Sequence, residues 1–197
     1  MVPLKALDDK YKIKRVVYST YQAVSGSGVK GVEDLEKGMN GNPTGFYPHQ
    51  ISYNCLPHID SFTENGYTKE EMKMVNETMK ILDNYDLKIT ATTVRVPVKN
   101  GHSESINVEF NNPFELDDLV KTLEEAPGVV VVDNPAKNEY PTAVEFDDRD
   151  EVFVGRIRRD FSVDNGVNLW VVADNIRKGA ATNAIQIAEM ALSYDLV

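Results

Sequence analysis

The sequence predicts a single α+β domain, and three observations support this fold class. Helical and strand-like segments are mixed along the chain, as expected where helices pack on a sheet. The length of 197 residues is enough for one substantial core, or at most two small ones. No internal repeat, low-complexity tract or interdomain linker divides the chain.

The chain opens with a predicted helix and a predicted strand. Leu4, Leu7 and Tyr11 recur at helical spacing, which predicts a helix over Val2–Lys10. No residue before this helix supplies a cap, so we expect the chain to begin inside a helix whose first turns are missing. The β-branched and aromatic residues of Lys12–Ser19 predict the strand that follows.

A loop and the best-defined helix come next. Val32–Met39 is predicted as a short helix, and Asn40–Gln50 is rich in Gly, Pro and Asn and is predicted as a loop. Thr68 and Glu71 form the capping-box pattern at the start of Thr68–Leu82. Apolar residues then line one face of this segment, which predicts an amphipathic helix.

Two strands are predicted after this helix, at Lys88–Val96 and His102–Phe110. The turn between them contains Asn100-Gly101, a dipeptide typical of tight hairpin turns. We therefore expect the second strand to fold back on the first.

The remaining elements are predicted from the same patterns. Apolar residues at helical spacing predict a helix over Pro113–Ala126. The last predicted helix has a face of small residues suited to close packing, which must pack on the domain, self-associate or stay exposed. The other predicted elements are strands at Val129–Val132, Glu151–Arg158 and Val167–Ala173, and a closing helix at about Gly179–Ser193.

Composition excludes several classes of function. The formal net charge of −10 argues against a nucleic-acid or anionic-membrane partner, because phosphates would be repelled on average. No apolar run is long enough to cross a bilayer, and the first residues do not form a signal peptide. A single cysteine excludes an intrachain disulfide, so we expect a cytoplasmic protein.

The first candidate site is the polar run around Gln22. Residues 20–28 combine small residues with glycines where a strand passes into a helix, and backbone amides there could bind an oxyanion or a phosphate. The amide of Gln22 can both donate and accept hydrogen bonds, which suits an orienting role. A plain strand-to-helix turn is the alternative interpretation.

Arg95 and His102 form the second candidate pair. The guanidinium group suits a carboxylate, and the imidazole suits proton transfer near neutral pH. The predicted hairpin would bring both side chains to one end of the sheet. A surface salt bridge and a turn histidine are the alternatives.

Other polar residues carry weaker signals. Glu70, Lys73 and Glu77 share one face of the capped helix, and spacing alone favours a solvated stripe. Cys55 precedes Leu56-Pro57 in an extended apolar stretch and is interpreted as a small core residue, and Trp170 is likewise assigned to the core. The histidines lack metal-ligand spacing with Cys55 or a carboxylate cluster, so no metal site is predicted.

Several separated blocks, in order, resemble aspartate-semialdehyde dehydrogenase along essentially the whole chain. These blocks are Thr-Tyr-Gln-Ala-Val-Ser-Gly at 20–26, Asn-Gly-Tyr-Thr-Lys-Glu-Glu-Met-Lys at 65–73, Arg-Val-Pro-Val at 95–98 with His-Ser-Glu at 102–104, Val-Gly-Arg-Ile-Arg-Arg-Asp at 154–160, and the run from Leu169 to Gln186. The resemblance implies a mixed, largely antiparallel sheet with helices on one face, like the carboxyl-terminal domain of semialdehyde and glyceraldehyde-3-phosphate dehydrogenases. It assigns residues 1–197 to the dimerisation and substrate domain, with a helix at 178–195 that returns to the nucleotide domain.

The resemblance also implies a reaction, the NADP-dependent interconversion of aspartate semialdehyde plus phosphate with aspartyl phosphate. By match to the motifs, His102 would be the general acid/base and Gln22 would orient the nucleophile and the reacting carbonyl. Arg95 would bind the substrate carboxylate, Glu70 its amino group and Lys73 the phosphate. Asn175, with Lys178–Thr182, would lie near the cofactor.

The chain departs from this family pattern in two respects. First, the family's cysteine nucleophile would lie before Met1. Second, the amino-terminal Rossmann half with its Gly-rich loop is absent. We therefore expect this chain alone to be inactive. Cys55 does not match the nucleophile position. The expected partners are a second copy paired through the sheet and a complementary or full-length dehydrogenase half.

Two other functions compete with this one. The first is a non-catalytic dimerisation or assembly module derived from the enzyme. The second is the related reductase acting on N-acetylglutamyl phosphate, which is disfavoured by the spacing from Arg95 to His102 beside the Glu70 and Lys73 helix.

Overall fold

The computed structural model describes residues 1–194 as a six-stranded mixed sheet with helices packed on one face. The helices are α1 (Val2–Tyr11), α2 (Val29–Met39), α3 (Lys69–Leu82), α4 (Leu116–Glu124) and α5 (Thr182–Ser193). The strands are β1 (Ile13–Gln22), β2 (Lys88–Arg95), β3 (His102–Phe110), β4 (Val129–Val131), β5 (Val152–Asp160) and β6 (Gly166–Ala173). The strand order is β2-β1-β3-β6-β5-β4, and the pairs β1–β3, β3–β6 and β5–β6 are antiparallel. The predicted fold class is therefore confirmed.

The predicted hairpin between β2 and β3 is wrong, because β1 lies between these two strands. Strand β2 runs parallel to β1 with Arg95 opposite Gln22, and β3 runs antiparallel to β1 with Ser103 opposite Tyr21. The connecting segment 96–101 crosses the end of β1 instead of forming a two-residue turn. It is held there by backbone hydrogen bonds from the residues after β1, such as Val24 N–H to the Val98 carbonyl at 2.9 Å.

One face of the sheet carries the main core under α1, α3 and α4. Leu4 and Leu7 of α1 are fully buried, as the helical spacing predicts. Alternate residues of β1, such as Val16 and Tyr18, point to the same face and are also buried. Burying an apolar side chain of this size contributes roughly 1.5–3 kcal/mol, so this layer supplies much of the stability of the fold.

The opposite face of the sheet carries no helix of the described residues, and we call it the open face. A groove of about 720 Å³ lies on it, and its lining includes Tyr21, Trp170, Tyr140, Arg156 and Arg158. The assignment of Trp170 to the core is wrong, because the side chain is only half-buried. Its indole N–H donates to the Pro141 carbonyl at 2.9 Å, and its ring lies 5.5 Å from that of Tyr21.

The chain continues from β6 into a helix that projects from the sheet. The predicted helix at Gly179–Ser193 is divided into a π-helical turn at Arg177–Ala181 and α5. The small residues of its predicted packing face are exposed or only partly buried within the described structure. Residue 195 of the predicted 178–195 helix, and residues 195–197 of the predicted domain, lie outside the described residues. Across residues 1–194 no helix has the length and apolar character needed to cross a membrane.

Candidate active site

Four chain segments meet at one edge of the sheet and form a cleft. Strands β1, β2 and β6 end at this edge, and β3 begins there, because β3 runs antiparallel to β1 and β6. The cleft has a volume of about 210 Å³ and lies between the sheet and α3. Its lining includes Gln22, Glu70, Lys73, Glu77 and His102, so five of the residues named in the sequence analysis lie together.

Helix α3 is fixed against the sheet so that its polar stripe faces this cleft. The capping box forms as predicted, with Glu71 N–H donating to Thr68 Oγ1 and Thr68 N–H donating to Glu71 Oε2 at 2.8 Å. The other oxygen of Glu71 accepts the N–H of Thr93 on β2 at 3.0 Å. One buried carboxylate therefore caps α3 and attaches it to the sheet.

The polar side chains on this face of α3 lie partly in the cleft and partly in solvent. Gln22 Nε2 donates to Glu70 Oε1 at 3.1 Å, and Lys73 Nζ lies 3.7 Å from Glu70 Oε2. The Glu70 side chain is 21% exposed and that of Lys73 is 57% exposed. The arrangement places a carboxylate, an amide and an exposed cation where one small ligand could contact all three.

Arg95 lies behind this cleft instead of lining it. Only 5% of Arg95 is exposed, and its Nη1 donates to the Ala23 carbonyl at 2.6 Å. Its backbone pairs with Leu56 through two hydrogen bonds of 2.8 and 2.9 Å. A Cβ added at Gly26 would stand 3.0 Å from Arg95 Nη1 and 3.4 Å from His102 Nε2, so the two predicted side chains approach the same point.

His102 is neutral in this environment. Its Nδ1 accepts the N–H of Ala23 at 3.1 Å, which places the proton of the neutral ring on Nε2. Burial, followed by the nearby Arg95 guanidinium, lowers the pKa of His102 from 6.5 to about 3, while Asp174 opposes this shift. The imidazole can therefore donate a hydrogen bond through Nε2.

Asn175 lies just after β6, near the same edge. Its Oδ1 accepts the N–H of Gly101 at 3.0 Å, and its Nδ2 donates to Ser25 Oγ at 3.0 Å. The amide predicted to face the cofactor is thus bonded to two loops of this domain.

Glu104 is a cleft residue that the sequence reasoning missed. It follows His102 by two positions on β3, so strand alternation directs both side chains to one face. Burial raises the pKa of its carboxyl, and the nearby Met1 ammonium opposes this effect. Alternation counted from His102 would have identified it.

Cys55 and the other histidines lie apart from this cleft. The prediction that Cys55 is a core residue is wrong, because it is exposed, and it does not line the cleft. The imidazole of His58 stacks on Phe62 with ring centroids 4.3 Å apart. Within residues 1–194 no group of three His, Cys, Asp or Glu side chains is arranged to hold a metal ion.

Comparison with known proteins assigns the chain to a family. The family described as "Semialdehyde dehydrogenase, dimerisation domain" matches residues 4–178. The aspartate-semialdehyde dehydrogenase of Aquifex aeolicus is 52% identical over 204 residues, covering 100% of this chain and 60% of that protein.

Solved structures give the same result. The crystal structure of aspartate semialdehyde dehydrogenase II from Vibrio cholerae has a TM-score of 0.92 and 45% identity, covering 98% of this chain and 58% of that one. The Candida albicans enzyme, solved with NADP, has a TM-score of 0.72 and 28% identity, covering 99% and 55%. This chain spans about three fifths of the length of the curated relatives it matches. It therefore belongs to the semialdehyde dehydrogenase dimerisation-domain family and corresponds to the dimerisation half of aspartate-semialdehyde dehydrogenases.

Proposed function

We propose that this chain provides the substrate site and the dimer interface of an NADP-dependent aspartate-semialdehyde dehydrogenase. The observation that carries the proposal is the cleft in which Gln22, Glu70, Lys73 and His102 lie together. In the proposed reaction the aldehyde carbon loses a hydride and gains a bond to a phosphate oxygen, and the phosphate releases a proton, which yields aspartyl phosphate. NADP, when bound, accepts the hydride.

The cleft matches the charges of this substrate. We assign the substrate ammonium group to Glu70, the phosphate to the exposed cation Lys73, and the substrate carboxylate to Arg95. Arg95 is buried behind residues 23–26. For this last role, the substrate carboxylate must therefore pass Gly26 to contact the guanidinium group. Gln22 is fixed by Glu70 and is proposed to orient the reacting carbonyl.

His102 is proposed as the general acid/base. The neutral ring carries its proton on Nε2 and can stabilise negative charge developing on the substrate oxygen. Proton uptake by this imidazole requires a nearby anion, because an adjacent negative charge would raise its pKa from about 3.

We further propose that the 197-residue chain by itself does not catalyse this reaction. Its one cysteine, Cys55, is outside the cleft, so the described cleft contains no thiol nucleophile. Residues 26–31 match the Gly-x-Gly-x-x-Gly pattern, but β1 and its parallel neighbour β2 are separated by residues 23–87, far more than the roughly 30-residue βαβ unit in which this pattern binds a dinucleotide pyrophosphate. Asn175 and the turn at 178–182 are proposed to border NADP without forming its main site. A cytoplasmic location is part of this proposal, in keeping with the single cysteine.

A second copy of the chain is the proposed partner of the open face. The groove there is lined by the aromatic side chains of Tyr21, Tyr140 and Trp170, which suit a buried interface. The family description as a dimerisation domain supports this choice. A complementary dehydrogenase half is the second proposed partner.

A non-catalytic assembly module is the alternative function. It is favoured by α5, where Ile185, Met190 and Leu192 are each about 60% exposed. Such a helix can bind another protein whether or not the cleft is active.

A chimera separates these two functions. Residues 1–197 would replace the matching half of the Aquifex aeolicus enzyme, and NADP reduction would be followed with aspartate semialdehyde and phosphate. We expect turnover by the chimera and none by the 197-residue chain alone. A folded, dimeric chimera without turnover would contradict the proposed enzyme and support the assembly module, whereas turnover by the chain alone would contradict its inactivity.

A further inference from the structure

The side chain of Asn175 joins two loops that both contact His102. Its Oδ1 accepts the N–H of Gly101, and its Nδ2 donates to Ser25 Oγ, each at 3.0 Å. Ser25 Oγ also lies 3.3 Å from Asn175 Oδ1. A single amide thus bridges the segment after β1 and the segment before β3.

Each of these segments helps to set the position of the His102 ring. Gly101 immediately precedes His102, so its position sets where the side chain leaves the backbone. Ala23, two residues before Ser25, donates its N–H to His102 Nδ1 at 3.1 Å. Gly26, directly after Ser25, packs so closely that an added Cβ would lie 3.4 Å from the ring. The imidazole is therefore held between two loops that Asn175 ties together.

Asn175 is itself fixed by the turn that leads into α5. Its neighbour Asp174 is buried and accepts the N–H groups of Ile176 and Arg177 at 2.7 and 2.9 Å. Arg177 in turn forms two hydrogen bonds to the Asp150 carboxylate. The backbone next to the bridging amide is therefore held by several hydrogen bonds.

We infer that Asn175 is a positioning residue that holds the His102 imidazole in place by tying Ser25 to Gly101. This role goes beyond the proposed cofactor contact, and its importance for catalysis rests on the proposed function of His102. Because the amide is already hydrogen-bonded to both loops, it fixes the position of the His102 ring before any cofactor binds.

The protonation of His102 reports on this bridge. Charged groups near the ring are Arg95 from β2, Lys73 from α3 and Asp174 after β6, and the carboxyl groups of Glu70 on α3 and Glu104 on β3 line the same cleft. Burial is the largest cause of the low pKa, so loosening either loop and admitting water would raise it.

The test is a pH titration of the imidazole nitrogens by NMR on the 197-residue chain and its Asn175→Ala variant. In the parent chain we expect His102 to stay neutral, with its proton on Nε2, down to pH 4. In the variant we expect the pKa to rise by about one unit or more towards its ordinary value. Ser25→Ala removes one side of the bridge and should shift the pKa in the same direction by less.

Asn168→Ala is the matched control. Asn168 lies within β6 and, like Asn175, accepts a hydrogen bond, in its case from Asn107 at 3.0 Å, but it lies on the open face. We expect this change to leave the His102 titration unaltered. The inference would be overturned if His102 titrates unaltered in the folded Asn175→Ala variant, or if Asn168→Ala shifts its titration equally. If Asn175→Ala does not fold, the Ser25→Ala variant replaces it, and an unaltered His102 titration there would overturn the inference. Because the readout is the ring itself, an inactive chimera with a normal titration would contradict the proposed enzyme and leave this inference intact.

Discussion

On the face of the sheet covered by α1, α3 and α4, Leu4 and Leu7 are fully buried, whereas on the open face Tyr21 is 39% exposed. The same strand, β1, supplies both environments, because Val16 and Tyr18 point to the covered face and Tyr21 to the other. The covered face ends in the cleft with His102, and the open face ends in an aromatic groove. The difference shows that one alternating sequence builds both a buried core beside the cleft and an open surface, and we propose that surface as the dimer interface.

Truncating a side chain on the covered face should have the largest effect on stability. Leu7→Ala removes a fully buried side chain and is expected to lower the free energy of unfolding by about 2–5 kcal/mol. Ile185→Ala on α5 is the control, since that side chain is 60% exposed. Urea denaturation of both variants measures the difference, and equal losses would contradict the assignment of the core.

A change on the open face should affect assembly more than folding. Trp170→Ala is expected to weaken dimerisation by a factor of about 30 or more, as for a central aromatic residue of an interface. Sedimentation velocity across a range of concentrations measures the dimer. Phe161→Ala is a matched aromatic control at the turn after β5, where the ring is 94% exposed. A parent chain that is monomeric at micromolar concentration would contradict the proposed interface.

The buried histidine should make stability depend on pH. Because the folded pKa of about 3 is below the unfolded value of about 6.5, the unfolded chain binds the extra proton first as pH falls. The free energy of unfolding should therefore be highest above pH 6.5 and fall by about 2 kcal/mol on reaching pH 5. His102→Asn keeps an acceptor for the Ala23 N–H and should lose this dependence. Parallel pH profiles for the two chains would contradict the neutral, buried ring.

The smallest expected effect on stability comes from the edge of the cleft. Lys73→Ala breaks an i,i+3 ion pair whose lysine is 57% exposed, so the free energy of unfolding should change by only about 0.2–0.5 kcal/mol. In the chimera the same change should raise the KM for phosphate, if Lys73 binds that group. Normal phosphate kinetics would contradict its proposed role.

Local signals predicted much of this fold. The capping box at Thr68 and Glu71 is present as predicted, because both of its hydrogen bonds lie within one turn of α3. The spacing of Leu4 and Leu7 likewise identified the buried side of α1. Such features depend on neighbouring residues and are therefore readable in a single sequence.

Long-range pairing was not readable in the same way. Asn100-Gly101 indicated a hairpin, yet β1 occupies the space between β2 and β3, and no local pattern encodes that insertion. Trp170 and Cys55 were assigned to the core from apolar neighbours, although Trp170 faces the open groove and Cys55 is exposed. The spacing of Glu70 and Lys73 along α3 did not predict a functional role for them. They join the cleft only because α3 packs beside the strand ends that carry Gln22 and His102.

The activity of two chimera variants tests most directly whether one face carries the chemistry and the other the assembly. Phosphate-dependent NADP reduction would be compared for His102→Asn and for Trp170→Ala, with the dimer content of each determined in parallel. We predict that His102→Asn lowers kcat by about 100-fold or more while the dimer remains intact, as expected for loss of a general acid/base. Turnover by His102→Asn equal to that of the parent chimera would contradict the account.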